Sequence, residues 1–312
     1  MANALADNGE ADLLAIVQNT SPSQCAGVIS VLNHYYGRDE LPIGAYKGTD
    51  LSPSSPFLPY VPALVENFPS PIKNTTQVPS SVDVYRRALA AQANHSVAIA
   101  SIGILTNIKA LLESPPDQHS ALTGAELVAQ KVHVLAVMGG KYPKSGGQPE
   151  CNLRGCAHGD KASADTAAAA SGYVFSHMPP EVKIIFSGFE VGVEVQTGAR
   201  LSKCATADNP CRQAMINYEG GPNKSRFSWD PLTTLVAVRG AEAVGTTECT
   251  NCAGKNVVDG KSGNNEWVPG PAANQTYLLL KDAAKASDAI DTLVCQPPKR
   301  RQGAFQQGRA GG

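Results

Sequence analysis

The chain has 312 residues, of which 42% are hydrophobic and 17% charged, with a formal net charge of −1. That is enough apolar content for a sizeable core in one large or two small globular units. The near-neutral balance, with no basic stripe outside the terminal "PKRRQGAFQQGR", speaks against nucleic acid as a partner, and no apolar run approaches the ~18 residues of a membrane span.

The N-terminal "MANALADNGEADLLAIV" lacks the basic stretch and apolar core of a signal peptide and reads as the interior of a domain. "ADLLAIVQNT" predicts a short strand preceded by a helix end, with Asn8-Gly9 as the turn and Asn19 at the strand's C-terminal end. In "CAGVISVLNHYYG", Ala26, Ile29, Leu32 and Asn33 keep helical spacing up to the stop at Gly37. Residues 49–80, rich in Ser, Pro and Thr, predict a long surface loop.

"SVDVYRRALAAQ" is then an amphipathic helix, "HSVAIASIG" a buried parallel-type strand, and "LTNIKALLES" a helix ended by Pro115-Pro116. The order repeats with "KVHVLAVMGG" as strand, "DKASADTAAAASGYVFSHM" as an alanine-rich helix and "VKIIFSGF" as strand. Such alternation implies an α/β fold with an open, mostly parallel sheet flanked by helices.

In "NKSRFSWDPLTTLVAVRG", Asp230 followed by Pro231 and the run Leu232, Leu235, Val236 and Val238 reads as a helix N-cap. "NVVDGKSGNNEWV" and "NQTYLLL" predict a hairpin-like pair, and "KDAAKASDAIDTLVC" a closing helix. A single domain over 1–298 with a disordered tail over 299–312 is the expected organisation.

Eight cysteines and the sequons at Asn74, Asn94, Asn223 and Asn274 point to an extracellular or vacuolar protein. Closeness in sequence favours Cys151 with Cys156 and Cys204 with Cys211 as disulfides, although spacing does not establish pairing. "CTNC" at 249–252 has no second cysteine or histidine pair at the spacing a zinc site needs.

In an open parallel sheet, ligands collect outside the C-terminal ends of the strands. The polar groups at those ends are Asn19, Thr106 and Asn107, Met138-Gly139-Gly140, and Phe189-Glu190. Each is also an ordinary cap or turn residue, but their joint placement marks one crevice.

With these pieces in order, the chain resembles the inosine-uridine preferring nucleoside hydrolases. The likeness runs through "LLAIVQNT", "LPIGAYKG", "VDVYRRALA", "ASIGILTNIKALL", "VMGGKYPKSGGQPECNL", "SWDPLTTLVAVRG" and "NVVDGKSGNNEW". It implies the nucleoside-hydrolase fold, a ribonucleoside substrate, and hydrolysis of the N-glycosidic bond to ribose and free base with bound calcium (Ca2+). Carried over by position, Asp230 and the Thr106 backbone carbonyl would be calcium ligands. Asn19, Glu150 and Asn152 would contact ribose hydroxyls, and Met138 would line the sugar pocket. The resemblance leaves room for a homo-oligomer.

Two features depart from the family pattern. The N-terminal strand and aspartate cluster DxDxxxDD, which would supply most calcium ligands and the general base, have no counterpart, so an N-terminally truncated chain is expected and no general base is assigned. Many members carry His before the equivalent of Asp230, where this chain has Trp229. An indole cannot protonate a leaving base but can stack on one. The alternative function is therefore a catalytically inactive binding protein on the same fold.

Overall fold

The computed structural model describes residues 1–51, 59–156 and 160–299. The chain opens with helix α1 (Ala2–Asp7), strand β1 (Ile16–Gln18), helix α2 (Cys25–Tyr35) and strand β2 (Ile43–Ala45). Gly9, with φ of +72°, makes the turn that Asn8-Gly9 predicts.

Helix α3 (Tyr60–Asn67) lies inside the expected 49–80 loop and corrects it. The Ser/Pro content on both sides hides "YVPALVEN", whose Val61, Leu64 and Val65 form a buried helical face. Part of that expected loop, 52–58, is outside the described residues.

The regular part follows: α4 (Ser81–Ala90), β3 (Val97–Ser101), α5 (Thr106–Glu113), α6 (Gly124–Lys131), β4 (Val132–Met138), α7 (Cys151–Arg154), α8 (Lys161–His177) and β5 (Lys183–Ser187). Caps fix several of these helices. Ser80 accepts from the Asp83 N–H at the start of α4, Thr123 and Glu126 form a reciprocal capping box on α6, and Asp160 caps α8.

After β5 come α9 (Phe189–Gly192), β6 (Gln196–Thr197), α10 (Leu201–Cys204), α11 (Pro210–Glu219), β7 (Arg226–Phe227) and α12 (Trp229–Arg239). The chain closes with β8 (Thr246–Glu248), β9 (Gly254–Val258), β10 (Asn265–Pro269), β11 (Gln275–Leu280) and α13 (Ala283–Cys295).

The main sheet has the order β3-β4-β5-β11-β8, parallel except for β8. Strands β1 and β2 form a separate parallel pair. The fold class is the expected one, α/β with a mostly parallel sheet between helices.

Alternation along the strands explains the layers. Leu135, Val137, Ile184, Phe186 and Tyr277 face a core shared with α5, α6, α8 and Trp267. Their neighbours Val134, Ile185 and Leu278 face a second core with α1, α12 and α13.

The C-terminal third requires two corrections. The hairpin closes within "NVVDGKSGNNEWV": β9 pairs with β10 around a turn in which the Asp259 carbonyl accepts from the Gly263 N–H at 2.8 Å. "NQTYLLL" is instead β11, parallel to β5 and antiparallel to β8.

Cys204 is bonded to Cys295, not Cys211, because α10 ends against the last turn of α13, with the two Cα atoms 5.6 Å apart. Cys211 lies in the first turn of α11, which Asn209 caps, and is a free thiol. Cys151–Cys156 forms as expected, and Cys249 and Cys252 of "CTNC" bond each other. Of the expected tail, 300–312 lies outside the described residues. No described helix is long and apolar enough to cross a membrane.

Candidate functional site

The site is built at the C-terminal ends of the parallel strands. Asn19 follows β1, and its Nδ2 donates to the Ile104 carbonyl at 3.4 Å, just before α5 begins. Asn107 of α5 returns the link, its Nδ2 donating to the Gln18 carbonyl at 2.9 Å. A Cβ on Gly103 would come within 2.1 Å of Asn19 Nδ2, so a side chain at 103 would displace the Asn19 amide.

Thr106 is the first residue of α5. Its Oγ1, Asn107 Oδ1 and Gln18 Oε1 are buried without hydrogen-bond partners in the protein. Buried polar atoms of this kind are costly, so a run of them at one place marks a surface that water or a ligand can satisfy.

At the next strand end, Met138 closes β4. Glu150, only 4% exposed, caps the short helix α7. Its Oε2 accepts from the Gly140 N–H at 3.2 Å and from the Asn152 N–H at 2.9 Å. Asn152 in turn donates through Nδ2 to the Met138 carbonyl at 3.0 Å. Met138, Glu150 and Asn152 are therefore one bonded unit.

Burial pushes the Glu150 carboxyl up to about 7; the N–H groups of Asn152, Gly140 and Cys151 pull it down, and the charge of Asp230 adds to the rise. That coupling puts Asp230 within electrostatic reach of Glu150.

Helix α12 packs across β3 and β4 and brings Trp229 and Asp230 to this end of the sheet. Ser228, not Asp230, occupies the N-cap position, and Asp230 is the second residue of the helix. The chain turns helical two residues earlier than the N-cap reading of Asp230 predicts, because Trp229 is pinned. Its Nε1 donates to the Phe189 carbonyl at 2.9 Å, and its ring lies against Gly192, where a Cβ would come within 2.2 Å.

No hydrogen bond to the Asp230 carboxylate is made by the described residues. Solvent reaches the side chain, yet protein crowds it closely enough that desolvation raises its carboxyl to about 7, with Arg226 pulling the other way. Deep placement in an open concavity accounts for both facts.

Trp229 also belongs to an aromatic group. Its ring lies 5.3 Å from Phe189 and 5.1 Å from Phe227, and both phenylalanines are exposed. Lys141 Nζ lies 5.5 Å from the Phe189 ring centroid. Phe227 and Lys141 escape a search of strand ends; the alternation "FSW" is the one local signal for Phe227.

A cavity of about 830 Å³ lies elsewhere, lined by residues of α2, α3 and α11 including His34, Tyr35 and Asn67. It contains none of the residues above. The convergence of carboxylate, amide and orphaned polar atoms favours the strand ends.

The whole chain has close structural counterparts. A plant nucleoside hydrolase, PpNRh1, superposes with a TM-score of 0.62 at 16% identity, covering 95% of each chain. The fold is that of the nucleoside hydrolases. The inosine-uridine preferring nucleoside hydrolase of Bacillus anthracis matches it with a TM-score of 0.64 at 14% identity, over 94% of this chain and 93% of that one. The type III effector XopQ, solved with adenosine diphosphate ribose, matches with a TM-score of 0.65 at 15% identity, over 95% and 88%. The chain matches no protein-family model and no curated protein sequence.

Calcium on this nucleoside-hydrolase fold would need six to eight oxygen ligands. Among the described residues, no three His, Cys, Asp or Glu side chains converge as a metal cluster. Asp230 and one carbonyl do not fill such a coordination sphere, so the residues present do not fit a calcium site by themselves.

Proposed function

We propose that this site takes the ribosyl unit of a ribonucleoside and serves hydrolysis of its N-glycosidic bond. The observation that carries the reading is the buried Glu150, held by the Gly140 and Asn152 N–H groups. Both bonds fall on Oε2, which leaves Oε1 for a sugar hydroxyl. Asn152 spends Nδ2 on Met138 and keeps its amide oxygen as an acceptor. Acceptors at fixed positions suit a vicinal diol, whose hydroxyls each donate one bond.

In the reaction, the oxygen of water bonds to C1′ while the C1′–N bond breaks, its electron pair leaving with the base, which takes up a proton. Positive charge grows on the sugar as the base departs. Glu150 and Asp230 would stabilise that charge electrostatically when ionised. Trp229, flanked by Phe189 and Phe227, offers the departing base a stacking surface, not an acid.

The described residues account for binding and charge stabilisation, and none is assigned to water activation. Asp230 and the Thr106 carbonyl are proposed as this chain's contributions to a calcium site whose remaining oxygen ligands the described residues do not supply. A second reading, ribonucleoside binding without turnover, is favoured by the lack of a metal cluster among the described residues.

Release of reducing sugar from inosine and uridine, measured with added calcium and with chelator, separates the readings. Release abolished by Glu150→Gln and by Asp230→Asn supports hydrolysis. Calorimetric binding without release supports the second reading, and neither binding nor release overturns both.

A further inference from the structure

The candidate site depends on an element that is weak by itself. Helix α7 has four residues, and a single helical turn fixes many dihedrals for few hydrogen bonds. Glu150 caps this turn, Asn152 is its second residue, and Gly155 ends it with φ of +90°. Leu153 is the one side chain of α7 that is fully buried.

Cys151 sits directly between Glu150 and Asn152. It is bonded to Cys156, two residues beyond the helix, with the Cα atoms 4.4 Å apart. The bond therefore joins the two ends of the turn that carries the site. The other bridges lie apart from it: Cys204–Cys295 ties α10 to α13, and Cys249–Cys252 sits between β8 and β9.

We infer that the Cys151–Cys156 disulfide is a positioning element for the site, holding α7 in the form that lets Glu150 meet Gly140 and Asn152, and Asn152 meet Met138. The site is then assembled in the oxidised chain and loosened by reduction. Cys156 is exposed, so a small dithiol can reach it. The dithiol supplies two electrons and two protons and becomes a cyclic disulfide, while the S–S bond becomes two thiols. No other covalent bond changes.

The functional part of this inference rests on the ribose-binding reading of Glu150 and Asn152; the geometric part does not. The test uses the full chain and compares Cys151→Ser/Cys156→Ser with the control Cys249→Ser/Cys252→Ser. The first readout is amide hydrogen exchange at Gly140 and Asn152, the two N–H groups bonded to Glu150.

Exchange at these two amides is expected to quicken by roughly 10-fold or more in the first variant only, with sheet amides such as Leu135 unchanged. Affinity for inosine should fall in the same variant. If that variant does not fold, brief dithiol treatment of the wild-type chain replaces it, compared with the same treatment of Cys204→Ser/Cys295→Ser because Cys204 is exposed as well. Unchanged protection at Gly140 and Asn152 would overturn the inference, as would an equal loss across the whole sheet. Selective loss of protection in a protein that binds no ribonucleoside would sustain the positioning role and reject the ribose reading.

Discussion

Glu150 carries a charge that the fold does not welcome. Its carboxyl ionises at about 7 in the folded chain against an ordinary 4.5. Stability tied to the protonated form is thus fully present below pH 4.5 and lost as pH rises through about 7. Glu150→Gln keeps an oxygen for the Gly140 and Asn152 N–H groups and removes the charge. The variant should match the wild type near pH 4 and exceed it at pH 8 by on the order of 2–3 kcal/mol, as read by thermal unfolding at the two pH values. A side chain retained at such a cost fits a role in binding rather than in folding. Trp229 makes a different prediction. Replacing it with Ala should weaken inosine binding by about 2–10-fold through lost stacking, with a smaller effect on free ribose, both measured by calorimetry. Glu150, Asn152 and Asp230 stand out as candidates in the sequence only through the family resemblance, because nothing in their spacing brings Asp230 within electrostatic reach of Glu150. Phe227 and Lys141 were not legible, since their relevance arises from the packing of β7 and the loop after β4 around Trp229.

Among the elements, the helix α4 shows how a buried cation organises its surroundings. Arg86 is 1% exposed; its Nε lies 2.8 Å from Asp117, Nη1 donates to Ser114 Oγ at 3.0 Å, and Nη2 donates to the Ser120 and Leu122 carbonyls at 3.1 and 2.8 Å. These bonds tie α4 to the segment between α5 and α6. Arg86→Ala should cost about 1–3 kcal/mol in denaturant unfolding, because it leaves the buried Ser114 hydroxyl and the half-buried Ser120 and Leu122 carbonyls without their donor. The same guanidinium holds the Asp117 carboxyl down to about 2 from an ordinary 3.8. The stability it lends is present above about pH 4 and lost as pH falls through 2, so acid unfolding of the variant should be the less steep over that range. The alternation of β3, β4 and β5 with α5 and α8 was legible because buried parallel strands read as unbroken apolar runs. Helix α3 was masked by the Ser/Pro composition around it, and β11 by the assumption that neighbouring strands pair. Its partner β5 lies about 90 residues earlier, a contact that local pattern does not encode.

At the scale of the molecule, the three disulfides distribute the chain's cross-links, with Cys25 and Cys211 free. Burial raises both free thiols, so they should react slowly in the folded protein. Thiol counting after unfolding should give two per chain without reductant and eight after reduction. A count of four would mean that one bridge does not form. The partner of Cys204 could not be read from sequence, because the α10–α13 contact that supplies Cys295 closes only when the whole chain has folded. The two layers around the sheet, the strand-end crevice and the nucleoside-hydrolase fold together support one central claim: that Glu150, Asn152 and their neighbours recognise the ribose diol. Calorimetric titration of the intact protein with inosine and with 2′-deoxyinosine tests it most directly. The expected result is measurable inosine binding that weakens at least ~10-fold without the 2′-hydroxyl, the size of one lost charge-assisted hydrogen bond. Equal affinity for the two, or binding of neither, would contradict it.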